Sequence, residues 1–302
     1  MKLNEELLME SVKNAKDTTY LTHNYHPFPA KFIPHIPQIL IQQFSKSGDL
    51  VFDPFCGSGT TLVESTLLGR SSIGTDINPI SILASKVKTT PLTSDEIMTI
   101  EKCVTALEKS NPKVDYSKHI PEFHGRDHWF MTHVQNELAM LRSTITKLTK
   151  PESNTRFFLD LAFSSIVNLV SNQDSDTRYA AVEKDVPVGK PTQLLIKRTT
   201  MMLERMKDFI TKAEDVTADA RLADSRQLGF IEDASIDLLV TSPPYANTYD
   251  YYLYHKHRMN WLGLNWREAM HDEIGSRQKH SSKKEEIDLY FDDMQQSFVH
   301  FA

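Results

Sequence analysis

Short apolar runs bounded by turn residues mark the first predicted elements of this chain. Leu50–Phe52 and Ser71–Thr75 each lead into an aspartate, and Ile236–Val240 leads into a Thr-Ser-Pro-Pro turn. Apolar runs of this length between turn residues are typical of buried strands. After the first run and its turn, apolar residues recur at helical spacing, which predicts a strand, a tight turn and a helix (Leu62, Val63, Leu67 and Leu68).

The segment from residue 91 to 213 has few glycines and repeated apolar positions at helical spacing. Its residues 172–179 are polar and turn-like, and residues 185–191 predict a loop. We interpret the segment as a helical insertion between the second and third strands, with three open roles: DNA recognition, a lid or a dimer surface. The predicted helices are Ser94–Lys109, His128–Leu148, Thr155–Val170 and Thr192–Lys212.

Composition excludes several classes of protein. With 302 residues and 40% hydrophobic content, the chain can bury a sizeable core. Cys56 and Cys103 are too few for a disulfide framework, and no Cys/His spacing indicates zinc. The N-terminus lacks a signal-peptide pattern, and no apolar run approaches the roughly 18 residues of a membrane span. The sequence therefore predicts a soluble, cytoplasmic protein with no metal centre and no membrane partner.

Net charge bears on the choice of partner. A formal charge of −6 argues mildly against nucleic acid, because neutralising phosphates requires cations. Two local clusters of basic residues weaken this argument against nucleic acid, because each would suit a phosphate backbone. Each cluster alone fits a solvated helix or loop face at least as well (Lys197, Arg198, Arg205 and Lys207; Arg277, Lys279, His280, Lys283 and Lys284).

The turn after the first strand is rich in glycine, with Gly57 and Gly59 before a helix start. Glycines there allow close backbone approach to a ligand, and the helix N-terminus offers free amides. A phosphate-binding P-loop would need lysine at Thr60, and a dinucleotide fingerprint would need a small residue at Leu62. Asp76 ends the second strand, where an acid can bind ribose hydroxyls. The pattern favours a nucleoside without phosphate.

The third strand ends in Thr241-Ser242-Pro243-Pro244-Tyr245. Two consecutive prolines fix the backbone and remove two amide donors. The carbonyls and the Ser242 hydroxyl can then accept hydrogen bonds from a ligand, and the Tyr245 ring offers a stacking face. Acceptors beside an aromatic ring suit a planar base with an exocyclic amine. A strand end followed by a Pro-Pro loop explains an isolated motif of this kind about equally well.

Together these motifs resemble the S-adenosylmethionine-dependent amino-methyltransferases of DNA, most closely the cytosine-N4 type, over roughly residues 20–85 and 215–265. The resemblance implies that residues 26–32 form a cofactor segment and that Asp53 lies near the methionine moiety. Asp224 would contact the adenine amine, a role for which Asp219 competes. The implied cofactor residues are Phe32, Asp53, Pro54, Phe55, Gly57, Gly59, Thr60, Thr61, Asp76, Ile77, Asp224 and Ser225, and the implied catalytic residues are Ser242, Pro243, Pro244 and Tyr245.

Residues 247–258, after the Pro-Pro turn, are dense in aromatic and basic side chains. Aromatic rings can stack on bases and cations can pair with phosphates. An amphipathic helix with inward-facing aromatics is the alternative, and both can hold if Tyr249 or Tyr251 lies at a pocket rim. We interpret His255 and His257 as helix-surface residues rather than general bases.

One departure from the family concerns the end of the chain. The family's sheet continues beyond the Pro-Pro motif, whereas residues 285–302 predict an amphipathic helix. The expected fold is therefore an α/β, Rossmann-like class I methyltransferase sheet with a helical insertion, lacking its C-terminal strands. Its expected parts are residues 1–90 with the cofactor motifs, 91–213 as the insertion, and 214–302 as the catalytic part. A fragment, or a second polypeptide completing the sheet, would explain the departure.

The resemblance implies methyl transfer from S-adenosylmethionine to the N4 amine of cytosine in double-stranded DNA, with the target base flipped out, as in restriction-modification systems. Adenine N6 is the first alternative, because the amine geometry is shared by both bases. A non-catalytic or split-enzyme subunit that binds cofactor or DNA is the second. Methylation at cytosine C5 is disfavoured because it needs a cysteine nucleophile, and neither Cys56 nor Cys103 stands after a proline.

Overall fold

A computed structural model of the chain describes residues 4–246, 249–276, 286–299 and 301. Six strands occur in this part of the chain. They are β1 (Leu50–Asp53), β2 (Ser71–Asp76), β3 (Gln173–Ser175), β4 (Arg178–Ala181), β5 (Ala218–Leu222) and β6 (Leu238–Leu239).

Four of these strands form one parallel sheet in the order β5-β2-β1-β6. Asp53 of β1 pairs with Gly74 of β2, and Phe52 pairs with Leu239 of β6. Backbone bonds from Asp237 to Leu50 and from Val240 to Phe52 extend the β6 pairing over most of the predicted run. The carboxyl ends of β1, β2 and β6 therefore meet at one edge of the sheet, where open α/β sheets place their ligands.

Twelve α-helices occur in the described residues. They are α1 (Glu5–Asn14), α2 (His35–Phe44), α3 (Thr60–Leu67), α4 (Pro79–Thr89), α5 (Ser94–Glu108), α6 (Arg126–Trp129), α7 (Thr132–Leu148), α8 (Asn154–Val167), α9 (Lys190–Ile210), α10 (Tyr251–Leu262), α11 (Trp266–Asp272) and α12 (Glu286–Val299). The mixed α/β class with a parallel sheet, predicted from the sequence, is confirmed. No described helix is long and apolar enough to cross a membrane.

The insertion between β2 and β5 is mostly helical. Three of its helices begin and end within two or three residues of their predicted bounds, and Thr93 caps α5 through a capping box with Glu96. The predicted helix His128–Leu148 is instead broken into α6 and α7. Phe130 buries its side chain at the break, and its carbonyl accepts a hydrogen bond from the Gln135 side chain. The polar residues 172–179 form the β3–β4 hairpin rather than a plain linker.

The hydrophobic core runs without a break from the sheet's helices into the insertion. One cluster of buried side chains includes Val63 of α3 and Val87 of α4 together with Phe158 of α8 and Met202 of α9. Burial of this apolar surface is the main stabilising contribution to such a core. The packing crosses both boundaries of the predicted division into residues 1–90, 91–213 and 214–302. That division describes the order of segments along the chain, and it stays a prediction.

Three basic residues of α9 are engaged within the protein. Arg198 donates to the Asn24 carbonyl, Arg205 donates to the carbonyls of Thr19 and Leu21, and Lys207 pairs with Glu101. These contacts fasten α9 to the N-terminal segment and to α5, which favours a structural role for this cluster. The second predicted cluster, Arg277 to Lys284, lies outside the described residues.

Helix α12 confirms the predicted C-terminal helix within its described bounds, and it packs at the carboxyl edge of the sheet. The Tyr290 hydroxyl donates to the Pro244 carbonyl at 2.9 Å, and the Ser225 and Ser297 hydroxyls lie 2.9 Å apart. Several large apolar side chains of this helix are exposed, namely Ile287, Leu289, Phe291, Phe298 and Val299. Among the described strands, β6 is an edge strand; that a second polypeptide pairs with it stays a prediction.

We expect Gly59→Ala to lower the free energy of unfolding by about 2–4 kcal/mol, through left-handed strain and overpacking. Gly59 has a φ of +79°, and an added Cβ would lie 2.8 Å from the Ser85 Cα of α4. Gly189→Ala is the matched control, since Gly189 has a φ of +87° with no atom within 4 Å of an added Cβ. Chemical denaturation of both variants tests this: equal losses would contradict the predicted crowding.

Candidate functional site

An open cleft lies at the carboxyl ends of the strands. Its largely apolar walls suit a small-molecule ligand. The cleft is built from segments far apart in sequence, which the parallel sheet brings together. The lining residues are Phe28, Ala30, Lys31, Phe32, Asp53–Ser58, Thr60, Asp76–Asn78, Ser81, Ala223–Ser225, Ser242–Tyr245, Tyr251, Ala269 and Asp272–Ile274.

The glycine-rich turn after β1 is held against the end of β2. Gly57 and Gly59 both have left-handed φ values, +49° and +79°, which glycine adopts without strain. The Gly57 amide donates to the Asp76 carboxylate at 3.0 Å, and the Asn78 amide donates to its other oxygen at 2.7 Å. Burial raises the pKa of Asp76 to about 6, and the two amides oppose that rise. Each oxygen keeps a lone pair that can accept a ligand hydroxyl.

Asp53 connects the two halves of the site. It is almost fully buried, and its carboxylate accepts hydrogen bonds from the Thr241 hydroxyl at 2.6 Å and the Phe55 amide at 3.1 Å. Burial raises the pKa of Asp53 to about 6, and these two donors oppose the rise. Thr241 directly precedes Ser242, so this bond fixes the Pro-Pro turn against the glycine-rich turn.

The two acids that compete for the adenine role occupy different places. Asp224 lines the cleft and forms an ion pair with Arg226 at 2.7 Å, and Arg226 also pairs with Asp293 of α12. Asp219 lies on β5 outside that lining, paired with Arg221 at 2.6 Å. The geometry therefore favours Asp224 as the acid that faces a ligand in the cleft.

The Ser242–Tyr245 turn forms one wall of the cleft. Tyr245 is 53% exposed, so its ring is available to a ligand that enters from solvent. Two elements support the turn from behind: Tyr290 donates to the Pro244 carbonyl, and Gly275 packs so closely that an added Cβ would lie 2.9 Å from the Tyr245 carbonyl oxygen. Small displacements of a reacting group are costly, so this support bears directly on chemistry.

The N-terminal segment and α10 form the opposite wall. The Phe28 ring stacks on Tyr251 with centroids 5.9 Å apart, and it lies 3.4 Å from where a Cβ on Gly57 would be. The prediction that His255 and His257 are surface residues is wrong, because both are buried and pack against Phe28, Trp129 or Tyr179. Burial lowers the pKa of both imidazoles, that of His257 to about 3. Residues 247 and 248 lie outside the described residues.

Sequence reasoning missed the contribution of α11 and the residues after it. Glu273 lines the cleft and is almost fully buried, and its oxygens accept the backbone amides of Tyr251 at 2.7 Å and Tyr252 at 3.2 Å. Burial raises the pKa of Glu273 to about 8, against the effect of these two donors. Glu273 belongs to no local motif, and the only sequence signal is an acid beside apolar Ile274.

Nearly all of the residues predicted for the site line this cleft. Gly59 and Thr61 are the exceptions: Gly59 precedes α3 and Thr61 is fully buried in its first turn. Their positions shape the turn rather than its ligand-facing surface. The specific roles assigned to the individual residues stay predictions.

We expect Thr241→Val to lower the free energy of unfolding by about 1–3 kcal/mol, because the buried Asp53 carboxylate loses a donor. Thr241→Ser keeps the hydroxyl and should cost much less. Urea denaturation at pH 7.5 measures both. The assigned bond would be contradicted by equal losses in the two variants.

Comparison with known proteins agrees with the interpretation drawn from the geometry of the cleft. A family model described as DNA methylase matches residues 6–86. The type II methyltransferase M.MvaI of Kocuria varians is 30% identical over 272 residues, which is 82% of this chain and 59% of the relative. M.BsoBI of Geobacillus stearothermophilus is 25% identical over 89% of this chain and 58% of its own length. M.MjaII of Methanocaldococcus jannaschii is 36% identical over 105 residues, 35% of this chain and 19% of the relative.

The chain thus spans somewhat more than half the length of the first two relatives. No solved structure matches the chain significantly. The matched relatives are all methyltransferases, and the family model covers the segment that contains the glycine-rich turn and Asp76. These similarities support the resemblance to S-adenosylmethionine-dependent DNA amino-methyltransferases that the motifs indicate, and they leave the cytosine-N4 or adenine-N6 type open.

Proposed function

We propose that this protein transfers a methyl group from S-adenosylmethionine to an exocyclic amine in double-stranded DNA, with cytosine N4 as the target. The observation that carries the proposal is the single cleft that joins the glycine-rich turn, Asp76 and the Ser242–Tyr245 turn. A cofactor bound by the first two features lies beside the third, as direct methyl transfer requires. Because the relatives are named type II methyltransferases, a role in restriction-modification is part of the proposal.

The cofactor's parts match the chemistry of the cleft. Asp76 would accept the ribose hydroxyls, and Asp224 would accept the adenine amine. Asp53 would lie toward the methionine end of the cofactor. Lys31 is the basic residue among the described lining residues and would pair with the cofactor carboxylate. The free amides at the start of α3 add a favourable electrostatic environment for that carboxylate.

The reaction follows from the weak nucleophilicity of an aromatic amine, whose lone pair is delocalised into the ring. The Ser242 hydroxyl and the Pro243 carbonyl would accept the two amine hydrogens and favour a more tetrahedral nitrogen. The nitrogen lone pair then forms a bond to the methyl carbon while the carbon–sulfur pair returns to sulfur. The amine afterwards loses one proton to water. Positioning and electrostatics carry such a reaction, without a covalent intermediate.

The target amine lies inside a DNA duplex, so the base must be flipped out to reach the cleft. Tyr245 is placed to stack on the flipped base because its exposed ring adjoins the Pro-Pro turn. Stacking of this kind tolerates either pyrimidine or purine rings. A serine before Pro-Pro favours cytosine N4 by the habit of the family, and adenine N6 is the alternative that the shared amine geometry supports.

The test is incubation of the 302-residue chain with labelled S-adenosylmethionine and unmodified genomic DNA, followed by nucleoside analysis. We expect label in N4-methyl-2′-deoxycytidine. Label in N6-methyl-2′-deoxyadenosine would move the target to the alternative base. Label in neither nucleoside, under conditions where the cofactor binds, would refute the enzymatic proposal in favour of a binding or split-enzyme subunit.

Ser242→Ala should abolish most methyl transfer and leave the cofactor dissociation constant within about twofold, because this hydroxyl is assigned to the base. Calorimetry with S-adenosylmethionine and the labelling assay are run on the same preparation. If cofactor affinity fell as far as activity, Ser242 would belong to the cofactor pocket or to the fold.

Cofactor affinity should weaken as the pH falls below about 6. Burial raises the pKa of Asp76 above that of an unfolded aspartate, and a cationic cofactor with ribose hydroxyls favours the ionised form. The contribution of Asp76 to binding therefore takes its full value above pH 6. That contribution is lost as the carboxylate protonates, by up to about tenfold per pH unit for each group titrated. Calorimetry from pH 5 to 8 measures the profile.

Asp76→Asn should weaken binding at pH 7.5 by about 1.5–3 kcal/mol and reduce the slope below pH 6. The pH dependence of binding that remains in this variant would then come from protonation of Asp53, whose pKa is also raised to about 6. Asp219→Asn removes the same charge from an acid outside the cleft and serves as the control. Unchanged affinity in Asp76→Asn would remove the ribose assignment.

A further inference from the structure

Glu273 is a buried acid that no motif of the site explains. Five carboxylates line the cleft, and in the described residues those of Asp53, Asp76 and Glu273 form no ion pair. Asp224 differs because Arg226 neutralises it, and Asp272 lies 2.6 Å from the His271 imidazole. Burying an ionised carboxylate without a partner is costly, and a cationic ligand would reduce that cost.

Contacts on two sides locate Glu273 in the cleft. On one side its carboxylate binds the first amides of α10, whose Tyr251 ring stacks on Phe28 beside the glycine-rich turn. On the other side Gly275, two residues later, packs against the Tyr245 carbonyl. Glu273 thus lies between the turn assigned to the cofactor and the turn assigned to the base.

The methyl-bearing sulfur must also lie between these two turns, because direct transfer requires the methyl carbon to face an amine held at Ser242 and Pro243. Before transfer this sulfur is a sulfonium cation. During transfer the carbon–sulfur bond breaks, its electron pair stays on sulfur, and a neutral thioether remains. The amine lone pair forms the new carbon–nitrogen bond, and the proton released from the amine goes to water.

We propose that Glu273 discriminates the cationic cofactor from its neutral thioether product, by placing a carboxylate beside the sulfonium; this inference rests on the proposed function. The attraction exists before transfer and disappears with the charge on sulfur. Aromatic and apolar lining from Phe28, Phe55 and Ile274 lowers the local dielectric and strengthens the interaction. The product is then held less tightly than the cofactor by this one residue.

The raised pKa of Glu273 agrees with this position. Burial and the negative charges of Asp250 and Asp76 oppose ionisation of Glu273, so its carboxyl retains its proton more tightly. A bound sulfonium would reverse that balance. Each Glu273 oxygen accepts one backbone amide and has a further lone pair, so the two hydrogen bonds leave the carboxylate able to interact with a ligand.

The experiment is calorimetry on the 302-residue chain and Glu273→Gln with three probes at pH 8.5, above the pKa of Glu273. The probes are S-adenosylmethionine, S-adenosylhomocysteine as the neutral product, and sinefungin, in which an amine cation replaces the methylsulfonium. We expect Glu273→Gln to raise the dissociation constants of both cationic probes about tenfold and that of the neutral product less than about twofold. Glu232→Gln, at an exposed acid outside the cleft, should change none of them.

A purely structural role for Glu273, capping α10, would weaken all three probes equally, and that result overturns the proposal. Unchanged binding of the cationic probes overturns it as well. Glu273→Asp keeps the charge and should preserve the ratio between cationic and neutral probes even where the shorter side chain weakens every affinity. If the unmodified chain binds none of the probes, the proposed function fails together with this inference; if it binds all three, only the inference is at stake.

Discussion

The hydrogen bond between Thr241 and Asp53 is the contact on which the site depends. It joins residues 188 positions apart, and it follows from the parallel pairing of β1 with β6. Because both residues stand at the carboxyl ends of neighbouring strands, the glycine-rich turn and the Pro-Pro turn face the same cleft. The sheet thus brings together the turn proposed to bind the cofactor and the turn proposed to bind the base.

Around this contact the protein holds its turns by backbone donors and close packing rather than by salt bridges. Asp76 is fixed by the amides of Gly57 and Asn78, and Glu273 by the amides of α10. A buried carboxylate held in this way keeps its acceptor capacity for a ligand, whereas one paired with arginine is largely satisfied already. Asp224 pairs with Arg226, so it differs electrostatically from Asp76 and Glu273 in the same cleft.

Local patterns predicted the glycine-rich turn, the acids at the strand ends and the Pro-Pro turn that line one cleft, because glycine, proline and strand-end acids have short-range causes. The break after Trp129 and the β3–β4 hairpin could not be predicted, since burial of Phe130 and pairing of polar residues depend on tertiary packing. His255 and His257 were misjudged for the same reason: α10 is enclosed on several sides, so its polar residues are buried. Glu273 was missed because its role arises only where three distant segments meet.

The pairing of β1 with β6 also bears on how the chain folds. Between these strands lies the whole helical insertion, whose core is continuous with α3 and α4. A contact between such distant residues is entropically expensive to form early, and proteins rich in distant pairings fold slowly. During synthesis, β6 also leaves the ribosome long after β1, when much of the insertion already exists. The Pro-Pro turn would therefore be among the last parts to fold. Interrupted synthesis would yield a chain that has the glycine-rich turn and Asp76 but lacks the Ser242–Tyr245 turn.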